Sequence, residues 1–282
     1  MATATARVLR VAHSPDADDA FMFYALAAGK LDTGGLAFVH ELADIETLNR
    51  RALAGELELT AASIHAYAYL ADRYVLLPCG ASMGEGYGPR IVARAPLAPA
   101  ELAGRLVAVP GTLTSAYLAL RLFAPDARTE VVPFDRILEH VAAGRADAGL
   151  VIHEGQLTYG DLGLHLVADL GEWWRATTGG LPLPLGGNLA RRDLGPELVR
   201  RTAALLRASI AYALEHREEA LAYAARFGRG LDPARTDAFV RMYVNERTLD
   251  WGDDGRRAVQ LFLDRGYEAG LLPRRVTVEF AE

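Results

Sequence analysis

A single cysteine, Cys79, among 282 residues excludes an intrachain disulfide and leaves no metal site built on cysteine sulfur. Runs of Lys and Arg dense enough to form a basic stripe are missing too. With 36 acidic against 30 basic residues and a formal net charge of −6, no nucleic-acid partner is expected. No segment approaches about eighteen consecutive apolar residues, so membrane insertion is not expected. Residues 1–7 are small and polar and lack the apolar stretch of an export signal, from which a cytoplasmic location is expected. The seven histidines show no His-x-x-x-His or comparable spacing, which speaks against zinc. What remains, with 51% hydrophobic and 23% charged residues, is an ordinary globular composition long enough for two compact lobes.

The stretch Asp147-Ala-Gly-Leu-Val-Ile-His153-Glu154 stands out. Its short apolar run, bounded by Gly144 and Gly155, reads as a strand over 148–152 buried on both faces in the middle of a parallel sheet. His153 then sits at the carboxyl edge of that strand. Ligands in open α/β sheets bind outside the carboxyl ends of the strands, so a titratable side chain there is a functional candidate. The plain structural alternative is a histidine hydrogen-bonded in a loop.

Taken in order, 8–12 reads as a strand, 13–19 as a turn, and 20–29 as a helix with Asp18 or Asp19 as N-cap and Gly29 as stop. A helix over 44–54 closed by Gly55, a strand over 57–62 and then Ser63-Ile-His65 follow. Residues 76–90 read as loop, and 90–94 as a strand crossing out of the first lobe. The next lobe restates the first: strand 106–109, polar turn 110–115, helix 116–123, helix 134–143, Gly144, and the strand that carries His153. A second crossing at 188–191 precedes helices over 196–228, 233–245 and 255–268. The pattern predicts an α/β fold of two lobes with a cleft between them, 1–94 with 187–282 forming one lobe and 95–186 the other.

Ser14-Pro15 to Asp19-Ala-Phe21-Met-Phe23-Tyr24, Asp44-Ile-Glu46-Thr47-Leu48-Asn49-Arg50, Val109-Pro110-Gly111, Ile152-His153-Glu154, Asp169-Leu-Gly171-x-Trp173-Trp174 and Leu181-Pro-Leu-Pro-Leu-Gly186 occur in this order. Together they resemble the 1,4-dihydroxy-6-naphthoate synthase family of the futalosine route to menaquinone, over nearly the whole chain. The resemblance implies a type II periplasmic-binding-protein fold without export. It implies conversion of cyclic dehypoxanthine futalosine to 1,4-dihydroxy-6-naphthoate with loss of the sugar-derived fragment, the work of a carbon–carbon lyase. It also implies a proton acceptor at His153 and substrate contacts at Ala61, Ala62, Ser63, Thr114 and Ser115. The expected partner is a small-molecule carboxylate, with no cofactor and no metal. Two positions depart from the family pattern: Ser-Pro-Cys-Pro-Asn-Asp is replaced here by Ser-Pro-Asp16-Ala17-Asp18-Asp19, and a common lysine by Ala61.

Each candidate has a structural alternative. Thr114 and Ser115 suit an anion at a helix N-terminus, but a Ser or Thr there also serves as a plain cap. Asp16, Asp18 and Asp19 could hold a hard cation, yet acids before a helix more often complement its dipole. Glu154 could orient His153, although neighbours on a strand point opposite ways. Trp173 and Trp174 could stack on a ligand, but packing is the reading preferred here. The glycines of Gly84-Glu-Gly86-Tyr-Gly88 lack the helix of a dinucleotide fingerprint. As to function, a solute-binding protein or a chorismate dehydratase relative of the same fold is the alternative to the naphthoate synthase.

Overall fold

Two separate β-sheets organise the computed structural model, which describes residues 7–228 and 231–282. The N-terminal residues 1–6, part of the segment read for an export signal, lie outside the described residues. In chain order the strands are β1 (Arg7–His13), β2 (Leu36–Leu42), β3 (Leu59–Ser63), β4 (Tyr74–Leu76), β5 (Ser82–Gly84), β6 (Arg90–Ala93), β7 (Leu106–Val109), β8 (Arg128–Val131), β9 (Ala148–Val151), β10 (His165–Asp169) and β11 (Leu183–Arg191). The first sheet has the order β2-β1-β3-β11-β4, with β5 pairing the start of β11; the second runs β10-β6-β9-β7-β8. The fold is that of the periplasmic binding proteins, with a cavity between the sheets.

In both sheets the parallel strands end at the cavity. β1 and β3 run parallel and deliver Ser14 and Ser63 to it, while β7 and β9 run parallel and deliver the 110–115 turn and His153. β9 is buried throughout, as its apolar run requires. Its sheet is mixed rather than parallel, because β6 pairs with β9 in the antiparallel sense. The stretch 90–94, expected as a crossing strand, hydrogen-bonds through β6 to β9 and β10 and so lies within the second sheet.

Several boundaries differ from the sequence reading for local reasons. The first helix begins at Ala17, since Asp16 rather than Asp18 or Asp19 is its N-cap, accepting a 3.4 Å hydrogen bond from the Asp19 N–H. Ser63-Ile-His65 opens the helix Ile64–Leu70. The 196–228 stretch divides at His216 into Pro196–Glu215 and Arg217–Ala224, followed by a 3₁₀ turn over Ala225–Phe227. β2, β8 and β10 carry several half-exposed residues, so none shows a clean apolar period.

One continuous apolar core reaches from Leu76 and Met83 of the first sheet through Val107 and Leu150 of the second, and includes Trp174, Trp251 and Phe262. Both buried indoles satisfy their N–H, Trp174 at the Pro182 carbonyl (2.9 Å) and Trp251 at the Leu77 carbonyl (3.0 Å). Gly111 is needed where the two halves meet, because a Cβ there would lie 2.3 Å from the Glu46 carboxylate. That carboxylate accepts the Leu113 N–H at 3.0 Å and ties the Ile45–Ala54 helix to the 110–115 turn.

Candidate functional site

Between the sheets lies a cleft. It is lined by Ala61, Ala62, Ser63, Thr114, Ser115 and His153, so the structure brings all six residues singled out in the sequence to one place. Asp16, Asp18, Asp19, Gln156 and Tyr243 join them, and among the described residues no Lys or Arg lines it.

His153 follows β9 directly and has φ 52°, the one positive value at a non-glycine position among the described residues. A left-handed backbone costs such a residue about 1–3 kcal/mol and persists only where its surroundings enforce it, commonly at functional sites. The Gln156 N–H donates to the His153 carbonyl at 3.1 Å, fixing the turn. The Phe134 ring stands edge-on to the imidazole at 5.0 Å. Nδ1 lies 2.9 Å from Asp16 Oδ2, so a carboxylate from the first sheet meets an imidazole from the second. The acid at Nδ1 is therefore Asp16.

The three acids of the turn are not equivalent. Burial pushes the Asp16 carboxyl up, but the neighbouring His153 imidazole and hydrogen bonds with Asp18 and Ser14 pull it below the usual carboxylate range. Asp18 is raised well above that range by burial and by the charges of Asp16 and Asp19, with its hydrogen bond to Asp16 and the Glu154 charge adding to the effect. Asp19 is raised by burial and the Asp16 charge, although the Ser14 N–H that donates to it at 2.7 Å and His153 work the other way. Burial and mutual repulsion thus oppose full ionisation of the three acids, and Asp16, beside His153, is the one favoured to carry charge. Among the described residues no group of three or more His, Cys, Asp or Glu is placed to hold a metal ion.

The hydroxyl residues are largely committed to structure. Thr114 Oγ1 caps the Ser115–Phe123 helix, accepting the Tyr117 N–H at 3.1 Å and donating to the Gly111 carbonyl at 3.0 Å. Ser115 Oγ accepts the His65 N–H at 3.1 Å and donates to the Leu185 carbonyl at 2.5 Å. Ser63 is gripped by Asn49, whose Nδ2 donates to Oγ at 3.0 Å and whose Oδ1 accepts the Ser63 N–H at 2.9 Å. Its hydroxyl hydrogen still has a direction to choose, and the cavity is on that side. Ala61 and Ala62, on β3 opposite Asn188 and Gly187 of β11, supply a flat floor.

Trp173 and Trp174 do not line the cavity. Trp174 is fully buried with its ring 5.4 Å from Phe262, and Trp173 packs on Phe123 at 5.5 Å. Gly171 of the same motif is required because a Cβ would sit 2.0 Å from the Tyr87 carbonyl oxygen. Gln156 and Tyr243 escaped the sequence reading. They meet through a 2.9 Å hydrogen bond between the Tyr243 hydroxyl and Gln156, joining the helix Pro233–Tyr243 to the segment after β9. No local pattern announces a pair 87 residues apart.

A cleft that holds a histidine–carboxylate pair in a periplasmic-binding-protein fold defines the class. The alkanesulfonate-binding protein from Xanthomonas axonopodis pv. citri has the same fold, with a TM-score of 0.71 at 17% identity and 98% of each chain covered. The chain itself belongs to the menaquinone biosynthesis family, whose model matches residues 9–268. It is 47% identical over 263 residues to a Thermus thermophilus protein, covering 93% of this chain and 95% of that one. A Streptomyces coelicolor protein is 42% identical over 275 residues, covering 95% and 96%. Both relatives are named 1,4-dihydroxy-6-naphthoate synthase. A crystal structure of an Archaeoglobus fulgidus protein matches with a TM-score of 0.90 and 47% identity, covering 94% of this chain and 98% of that one.

Proposed function

We propose that this chain converts cyclic dehypoxanthine futalosine to 1,4-dihydroxy-6-naphthoate as a carbon–carbon lyase, in the cytoplasm and without cofactor or metal. The observation that carries the reading is the 2.9 Å contact between His153 Nδ1 and Asp16 at the cavity wall. An ionised carboxylate at Nδ1 holds that nitrogen as the N–H tautomer, which leaves Nε2 as the proton acceptor. Nε2 takes a proton from the substrate, the bond to the sugar-derived fragment breaks, and Asp16 stabilises the imidazolium that forms. A protein whose duty ended at closing on a solute would have no use for such a pair. Kinship with two proteins named for the synthesis of 1,4-dihydroxy-6-naphthoate supports the product.

In this reading the Ala61-Ala62 floor supports the flat ring system, and Ser63 with the N–H groups at the start of the Ser115–Phe123 helix receives its carboxylate. The two sheets are the cores of two lobes, close to the division 1–94 with 187–282 and 95–186, with β6 assigned to the second. Incubating the purified protein with cyclic dehypoxanthine futalosine should yield 1,4-dihydroxy-6-naphthoate by chromatography. Absence of product from folded protein would refute the assignment.

A further inference from the structure

The cavity wall contains two acids that the reaction above does not use, and one of them, Asp19, is held by the Ser14 N–H. Asp18 stands in the first turn of the helix Ala17–Met22, lines the cavity and is only 7% exposed. It stands two residues from Asp16, and its Oδ1 is buried with no hydrogen-bond partner among the described residues. A buried carboxyl with an unpartnered oxygen and no Lys or Arg among the described lining residues is held as the neutral acid, and a neutral acid beside an ionised one can donate its proton to it. Asp16 is the ionised member, because the His153 imidazole lies beside it, so the proton belongs to Asp18.

We propose that Asp18 is the third member of the Asp16–His153 pair: a neutral carboxyl that donates its O–H to Asp16 and accepts a ligand hydroxyl on its other oxygen. The inference rests on the lyase reading and deepens it. It makes the substrate portion beside His153 a polyhydroxylated one, with one hydroxyl against Asp18 next to the group that His153 deprotonates. The Asp18 proton does not leave during turnover. It keeps the Asp16 carboxylate turned toward Nδ1, where the Asp19 N–H and the imidazole complete the carboxylate's hydrogen bonds. A buried acceptor left without a donor is unfavourable, which gives a hydroxylated ligand an advantage over a deoxy analogue.

Raising the pH strips this proton and places a second negative charge beside Asp16. The titratable groups around Asp18 are Asp16 and Asp19 of its own turn, Glu154 after β9, Tyr243 of the facing helix, and His153 through Asp16. Asp19 is raised as well, so an alkaline fall in rate must be assigned by substitution.

The test compares Asp18→Asn, which keeps one donor and one acceptor but cannot ionise, with Asp18→Leu, which keeps neither. Rates of wild type and both variants are measured against pH with cyclic dehypoxanthine futalosine. Asp18→Leu should lower kcat/KM by on the order of 100-fold or more, through both kcat and KM. Asp18→Asn should recover to within about tenfold of wild type and lose the alkaline fall that wild type shows. An Asp18→Leu protein within about threefold of wild type, or an Asp18→Asn protein that keeps the alkaline fall, overturns the proposal. A second readout does not need turnover: an infrared carbonyl stretch of a protonated carboxyl at neutral pH, present in wild type, kept in Asp19→Asn and lost in Asp18→Asn. Its absence from wild type overturns the proposal even if the enzyme is active. If wild type is inactive on this substrate but shows the band, the lyase reading fails while the protonated Asp18 stands.

Discussion

Asp16 Oδ2 lies 2.9 Å from His153 Nδ1, and the two residues reach each other from different sheets, one after β1 and the other after β9. The pair therefore exists only when the two halves of the molecule are packed together. Asp16 is also the N-cap of the helix Ala17–Met22, so one side chain sets the helix start and the imidazole orientation at once.

Asp16→Asn separates these roles. The amide oxygen still caps the helix, but the charge is lost and the amide nitrogen can turn toward Nδ1, favouring the wrong tautomer. We expect kcat to fall by roughly 10²–10⁴-fold with little change in KM or in the unfolding midpoint. Steady-state kinetics beside urea unfolding reads both, and a full loss of stability with unaltered kcat would contradict the assignment.

Ser115→Ala tests how far the hydroxyls at the cleft are structural. Its removal leaves the His65 N–H and the Leu185 carbonyl without their partner. Stability should drop by about 1–3 kcal/mol, the cost of unsatisfied buried polar groups. Ser63→Ala should instead weaken binding of 1,4-dihydroxy-6-naphthoate, measured by calorimetry, more than it lowers stability.

Phe262→Ala probes the core that spans both sheets. The ring is fully buried and packs against Trp174. We expect a loss of about 3–5 kcal/mol in a single cooperative urea transition. Two separated transitions would show that the sheets are stabilised independently.

His13 and His65 should show displaced titrations. Burial lowers both to about 4 from 6.5; at His13 the neighbouring His40 adds to the fall while Ser14 and Asp16 oppose it, and at His65 only the Thr114 carbonyl opposes it. On acidification the unfolded chain takes up these protons first, so each histidine's contribution to stability is lost between about pH 6.5 and pH 4, up to roughly 3 kcal/mol apiece. Asp18 and Asp19 act with the opposite sign, since burial raises both in the fold and they favour it as pH falls. Histidine ring resonances, assigned with His13→Asn and His65→Asn, should have midpoints near 4; midpoints near 6.5 would contradict the burial argument.

Much of this site could be read in the chain. The apolar run before His153 is a buried strand because both its faces are covered, and periodicity records that directly. Gly55 closes the 45–54 helix where cap chemistry placed it, and Asp44, read as its first residue, is its N-cap. The partnership of Asp16 with His153 was not legible, since it joins residues 137 positions apart and a carboxylate before a helix reads the same whether or not an imidazole faces it. Nor were the unequal charges of the acid turn, because they follow from burial and from which carboxyl touches His153. Edge strands such as β2 stayed hidden because half-exposed residues there obscure the alternation.

The base itself is tested by His153→Asn. The substitution keeps polar reach and tolerates the left-handed backbone at this position, since asparagine adopts it readily. With folding and ligand affinity checked, the measurement is the single-turnover rate on cyclic dehypoxanthine futalosine. A fall of about 10²–10⁴-fold with affinity nearly unchanged is expected. A folded variant that binds ligand and still turns over within about tenfold of wild type would show that the proton leaves by another route and that His153 is not the base.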